Sequence, residues 1–183
     1  MYILASGSPR RKELLSLIIP EYEVLVSGCE EFVPKGTPAE KVPAILAEQK
    51  ALAVAKLRPD DTVIGSDTVV VLGGEIFGKP KDKDHAHAML RALSGKKHFV
   101  YTGVAVAEKG EVRSFVQKTE VEFYELSDET IDKYIESFEP MDKAGAYGIQ
   151  GKGSVLVKGI SGDYFNVMGL PVAETARFLG IIK

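Results

Sequence analysis

Residues 62–72 read TVIGSDTVVVL, a β-branched run that marks a strand, followed at once by Gly73-Gly74, a hairpin signal. Glu75 to Gly78 begins the return. One residue in the run is out of place. Asp67 puts a carboxylate among neighbours that read as buried, and an unpaired buried carboxylate costs several kcal/mol. Either Asp67 has a partner or it stands at the strand's end facing a cleft. The plain structural alternative is a turn or bulge Asp after Gly65-Ser66.

The flanking segments alternate between strand and helix patterns. Upstream, Tyr2 to Ala5 forms a short strand, Ser6-Gly7-Ser8 a turn, and Pro9 to about Leu17 a helix with Ser8 as cap and Pro9 at the first position. Tyr22, Val24 and Val26 alternate with Glu23, Leu25 and Ser27, which predicts a second strand. A polar loop, Gly28 to Gly36, then carries Glu30 and Glu31. Thr37-Pro38-Ala39-Glu40 fits a capping box, opening a helix through Gln49 and Lys50 to Leu57, with a break or late start at Pro43. Downstream, a helix from about Asp84 to Leu93 stops at Ser94-Gly95. Two long strands, Phe99 to Ala107 and Val112 to Leu126, are joined by the turn Glu108 to Glu111. Ser127 caps an amphipathic helix bearing Ile131, Tyr134, Ile135 and Phe138. A glycine-rich loop from Asp142 to Gly153 leads to a strand, Val155 to Ile160, a turn from Ser161 to Tyr164, and a last helix from about Pro171 to Leu179. The pattern predicts one mixed α/β domain over residues 1–183, built round a strongly bent sheet.

Composition excludes several classes. With 45% hydrophobic and 27% charged residues over 183 positions, the chain is neither disordered nor fibrous. The single Cys29 rules out an internal disulfide. No apolar run approaches the ~20 residues that cross a bilayer, and the opening segment lacks a signal h-region, so the reading is a soluble cytoplasmic protein. Lys and Arg number 23 against 26 Asp and Glu, a net charge of −3, which argues against a protein that neutralises a nucleic-acid backbone.

The candidate chemistry lies in cations placed at turns. Arg10 and Arg11 fall in a first helical turn, where the dipole favours acids, and beside a small-residue loop they make an anion site. SGSPRR is not a P-loop, since the Gly-Lys-Ser/Thr ending is missing. Lys79 is fixed between Gly78 and Pro80, and Lys50 among alanines reads singly as a snorkelling surface lysine. Gln150, in the loop DKAGAYGIQG, could present its amide to a base edge; the alternative is an ordinary mobile loop. His85 and His87 lie two apart on a helix and cannot chelate one metal. Asp82 to Asp84 reads as a helix start. Ser6 and Ser8 lack a Ser/His/Asp arrangement.

Taken in order, LASGSPRRKELL (4–15), EQKA (48–51), IGSDTVV (64–70), FGKP (77–80), MLRALSGKKHFVYTGV (89–104), DKAGAYGIQG (142–151) and GDYFNVMGLP (162–171) resemble the Maf family of nucleotide pyrophosphatases. The resemblance implies an inosine-triphosphate-pyrophosphatase-like (Maf/Ham1) α/β fold with two lobes around a deep cleft. It also implies hydrolysis of a nucleoside triphosphate to monophosphate and pyrophosphate. On matching positions, Asp67 is the catalytic acid residue and Glu31 the second acid, and Ser8, Arg11, Lys50 and Lys79 line the triphosphate. Arg10, Thr68 and Gln150 stand where the family's subgroups differ, and here they match the dTTP/UTP-preferring branch. Asp67 and Glu31 would hold Mg²⁺ or Mn²⁺. Whether Asp67 is the base or a metal ligand stays open at this level. The implied partners are a nucleoside triphosphate and a second copy in a homodimer, with no nucleic-acid polymer and no membrane. The competing readings are a pyrophosphatase for 7-methyl-GTP or another non-standard nucleotide, and a non-catalytic nucleotide-binding regulator of septum formation.

Overall fold

A computed structural model describes residues 1–183. Seven strands form one mixed sheet: β1 (Tyr2–Leu4), β2 (Glu23–Val24), β3 (Thr62–Leu72), β4 (Glu75–Phe77), β5 (Lys97–Glu108), β6 (Glu111–Phe123) and β7 (Val157–Ser161). Their order is β2-β1-β3-β5-β6-β7, with β4 pairing with β3. β1 lies parallel to both β2 and β3, whereas β4 runs antiparallel to β3 and β7 antiparallel to β6. The hairpin after β5 turns through Lys109 and Gly110, both at positive φ (51° and 82°), the twist that suits a tight hairpin. Six helices accompany the sheet: α1 (Pro9–Ser16), α2 (Val42–Ala55), α3 (Lys83–Leu93), α4 (Asp128–Glu136), α5 (Tyr164–Met168) and α6 (Val172–Phe178). None is long and apolar enough to cross a membrane.

The chain divides into two compact units, one of Met1–Thr68, Thr102–Gln117 and Gly169–Lys183, the other of Val69–Tyr101 and Lys118–Met168. The first unit has a core of small residues: Ala47, Ala51 and Val54 of α2 meet Ile3, Val63, Ala105 and Ala107 of the sheet. The reason is a close approach. A Cβ on Gly65 would lie 2.2 Å from the Ala47 carbonyl oxygen, and one on Gly103 would lie 2.3 Å from that of Pro43. Helix backbone therefore rests directly on β3 and β5, which only glycine permits. The second unit has a larger core round α3 and α4, where His98, Phe123 and Tyr147 stack edge to face.

Several local expectations change. Thr37 does not cap a helix: its hydroxyl donates back to the Pro34 carbonyl at 2.7 Å, residues Ala39–Lys41 form a 3-10 turn, and α2 starts at Val42 with Pro43 in its first turn. Proline there removes no helical hydrogen bond, which is why the late start wins. The last strand begins two residues later than the apolar pattern suggests, because Gly151–Leu156 is wound into a 3-10 segment. Helix α5 occupies what reads as a turn continuing from Ser161. Five residues are too few for a periodic signal, and the helix is held by tertiary bonds of the buried Asn166 to the Val100 carbonyl (3.1 Å) and the Thr119 hydroxyl (2.9 Å). Asp82 does start α3, accepting from the His85 amide at 2.7 Å.

Candidate active site

Asp67 lies at the midpoint of β3 rather than in a turn or bulge, and it has a partner. The close seating of α2 on Gly65 brings Lys50 beside it, with Lys50 Nζ 2.5 Å from Asp67 Oδ1. The same ammonium is 3.1 Å from Glu31 Oε1. Lys50 and Asp67 each expose only 15% of their side chains, Glu31 46%. The lysine that reads as a surface residue in isolation is thus the cation between the two acids. Glu31 reaches it because Gln49 grips the loop backbone next door. The Gln49 amide accepts from the Phe32 N–H at 2.9 Å and donates to the Phe32 carbonyl at 2.6 Å.

Arg11 belongs to the same unit and lies near enough to Asp67 and Glu31 to feel their charges. Its Nε donates to the Gly169 carbonyl (2.8 Å), one terminal nitrogen to the Ser6 hydroxyl (3.2 Å), and the other to the Thr68 hydroxyl (3.1 Å). The Thr68 and Thr102 hydroxyls are 2.9 Å apart, and Ser66 donates to the same Gly169 carbonyl at 3.1 Å. Burial lowers the Arg11 pKa from its ordinary value, opposed by the nearby Asp67 charge, reinforced by Arg10 and opposed again by Glu31. The guanidinium has five N–H donors, so three fix it in place and two are left to address a ligand.

Ser8 sits at the N-cap of α1 in extended conformation without a side-chain cap bond, and its amide donates to Ser6 Oγ at 3.3 Å. No acid occupies the first turn of α1. A helix N-terminus of this kind favours an anion.

The structure therefore brings Ser8, Arg10, Arg11, Glu31, Lys50, Asp67 and Thr68 together within the first unit. Lys79 and Gln150 belong to the second. Lys79 is exposed at the end of the return after β4, next to Gly78, whose carbonyl accepts from the Gly145 amide at 3.0 Å. Gln150 is half-buried in extended backbone just before the 3-10 segment. Sequence reasoning missed Gln49, Ser66, Thr102 and the Gly169 carbonyl as supporting groups. Gln49 stands beside Lys50 in the EQKA motif, a signal that was available; the separation of 158 positions from Arg11 to Gly169 left none. The histidines play no part here. His98 is buried against Tyr147, and His87 faces Asp128 and Asp132 on the surface.

A family model described as Maf-like protein matches residues 1–181. Proteins named dTTP/UTP pyrophosphatase from Bacillus cereus (strain B4264) and Bacillus cytotoxicus are 51% and 53% identical over 177 and 179 residues, in both cases 97% of this chain and 93% of the relative. Among solved structures, the Staphylococcus aureus Ham1 protein is similar over 67% of this chain and 71% of its own, with a TM-score of 0.49 at 18% identity.

Proposed function

The chain belongs to the Maf family, and from that premise we propose that it hydrolyses dTTP and UTP to the monophosphate and pyrophosphate in the cytoplasmic nucleotide pool. The observation that carries the reading is the Lys50 ammonium held between Asp67 and Glu31 in a unit that also fixes Arg11. A triphosphate bears a charge near −4, and phosphoryl transfer draws mainly on positioning and electrostatic stabilisation. The relatives' shared name supports the pyrimidine preference.

The donor set fits a hard divalent cation. Asp67 and Glu31 both lie against the Lys50 ammonium, two hard oxygen donors of the kind such an ion takes. Mg²⁺ is commonly held in that way, by one or two carboxylates with water and substrate phosphates completing the shell. Asp67 and Glu31 would hold it. When bound, the ion supplies charge neutralisation on the phosphates and acidifies water.

The chain's own groups then divide the remaining work. Arg11, fixed by three bonds, offers its two remaining N–H groups to phosphate oxygens, and Ser8 and the α1 amides add neutral donors. Lys50 meets negative charge developing on the phosphates while keeping the Asp67 carboxylate oriented. Water attacks the α-phosphorus, its proton passes to an Asp67 oxygen, and the bond from the α-phosphorus to the bridging oxygen breaks to release pyrophosphate. For the second unit, the family resemblance assigns Lys79 to the triphosphate and makes Gln150 the residue that reads the base edge.

The test is pyrophosphate release from UTP, dTTP, CTP, ITP and 7-methyl-GTP with Mg²⁺ or Mn²⁺. UTP and dTTP are expected to be turned over fastest; equal or faster turnover of 7-methyl-GTP or ITP overturns the specificity. Asp67→Asn is expected to lose about 10²–10⁴-fold in kcat with unchanged folding. Full activity in that variant would sink the mechanism, and nucleotide binding without turnover in the unaltered protein would favour a regulatory role.

A further inference from the structure

Around Gln150 the backbone is fastened at three points to one pair of side chains. The Gly148 amide donates to the Tyr134 hydroxyl at 3.0 Å. Beyond Gln150, the Lys152 amide donates to Glu139 Oε2 at 3.0 Å and the Gly153 amide to Glu139 Oε1 at 3.2 Å. The Tyr134 hydroxyl itself donates to Glu139 Oε1 at 3.1 Å. The pair is firmly based: Tyr134 is 4% exposed in the core of its unit, and the Glu139 carbonyl accepts from Lys143 Nζ at 2.6 Å. Burial raises the Tyr134 pKa above that of an ordinary phenol, so the hydroxyl keeps the proton its bond to Glu139 requires.

The loop also lies against the pair too closely for side chains. A Cβ on Gly151 would come within 2.7 Å of Glu139 Oε2, and one on Gly153 within 2.7 Å of the Tyr134 hydroxyl oxygen. Gln150 lies between these anchors, with Gly148-Ile149 on one side and Gly151-Lys152-Gly153 on the other. A chain rich in glycine would otherwise sample many conformations there. A base-reading amide discriminates only if its position is fixed before the ligand arrives, because an adaptable amide makes equally good bonds to the wrong base.

We propose that Tyr134 and Glu139 are positioning residues for Gln150, fixing the loop that presents its amide to the base and so setting nucleotide preference without touching the nucleotide. The inference rests on the reading of Gln150 as the base-edge contact. Both carboxylate oxygens accept backbone N–H bonds, so Glu139→Gln places an amide NH₂ against an N–H donor and loses one anchor while keeping the side chain's shape. Tyr134→Phe removes the Gly148 anchor and preserves the packed ring.

The experiment compares kcat and KM for UTP, CTP and GTP in the unaltered enzyme and in Gln150→Ala, Glu139→Gln and Tyr134→Phe, together with amide hydrogen exchange over residues 148–153. Gln150→Ala is expected to reduce the UTP preference at least tenfold. Glu139→Gln should reduce it at least threefold, through KM for UTP with kcat within about twofold, while exchange at Lys152 and Gly153 quickens at least tenfold. Tyr134→Phe should do the same at Gly148, and it carries the test if Glu139→Gln does not fold. If Gln150→Ala lowers the preference but both anchor variants leave it unchanged despite faster exchange, the positioning role is overturned. If Gln150→Ala itself leaves the preference intact, the reading of Gln150 falls and the inference falls with it.

Discussion

Arg11 has a structural role in the fold and a proposed one in the site. Its three bonds run to a carbonyl and two hydroxyls from separate segments, Gly169, Ser6 and Thr68, and only a planar five-donor fork can meet all three and still face outward. Lysine, with a single ammonium on a flexible stem, can replace the charge but not this pattern. Arg11→Lys is therefore expected to raise KM for UTP about tenfold or more and to lower stability by about 1–3 kcal/mol, since donors to partly buried oxygens are lost. Steady-state kinetics and urea unfolding check the two effects separately; an unchanged KM would remove Arg11 from the binding site. The anomaly of two arginines in a first helical turn was legible from local sequence because the helix dipole disfavours them there. The bonds that orient Arg11 were not, since they span 158 and 57 residues.

At the scale of elements, the site depends on how near α2 can come to β3. Lys50 reaches Asp67 because Ala47 and Ala51 lie on the same helix surface that rests on Gly65. The neighbouring atoms at Gly65 are mainly backbone, which cannot rotate aside. Gly65→Ala is accordingly expected to cost about 1–3 kcal/mol by overpacking and to lower activity by more than the fraction unfolded explains, because α2 moves away and carries Lys50 with it. Thermal unfolding read alongside kcat on the folded fraction distinguishes these effects, and full specific activity in the folded fraction would break the link between helix seating and chemistry. Long elements were readable beforehand: the β-branched run of β3, the period of α4 and the paired long strands each carry a strong local signal. What misled was a competing local bond in one case, where Thr37 turns back to Pro34 three residues away, and a tertiary bond with no local trace in the other, where Asn166 pins α5. The Lys50–Asp67 pair lay between these cases, since each partner stood out or blended in alone and only packing joined them.

For the molecule as a whole, the net charge of −3 says nothing of local placement: Arg10, Arg11 and Lys50 lie in one unit together with Asp67 and Glu31, and the proposed function has that group of charges meet a triphosphate. A mild net charge argues against a nucleic-acid polymer as partner, yet it has no bearing on a single nucleotide. Net charge also says little about where stability responds to pH, and one buried group makes a definite contribution there. His98 is 1% exposed, is hydrogen-bonded to Tyr147 at 2.8 Å, and has its pKa lowered by burial to about 4. Above the unfolded value of about 6.5, both states hold a neutral imidazole and its contribution to stability is fully present. As pH falls from about 6.5 towards 4, the unfolded chain binds a proton that the folded chain refuses, so stability declines. The loss totals about 3 kcal/mol once the folded value is passed. His98→Gln keeps an amide within reach of the Tyr147 hydroxyl but does not titrate. Urea unfolding followed by far-ultraviolet circular dichroism, suited to a chain without tryptophan, should show a flatter pH dependence for the variant between pH 6.5 and 4 and parallel curves above pH 7. Identical slopes in the two proteins would show that His98 is not the group through which acid destabilises the fold.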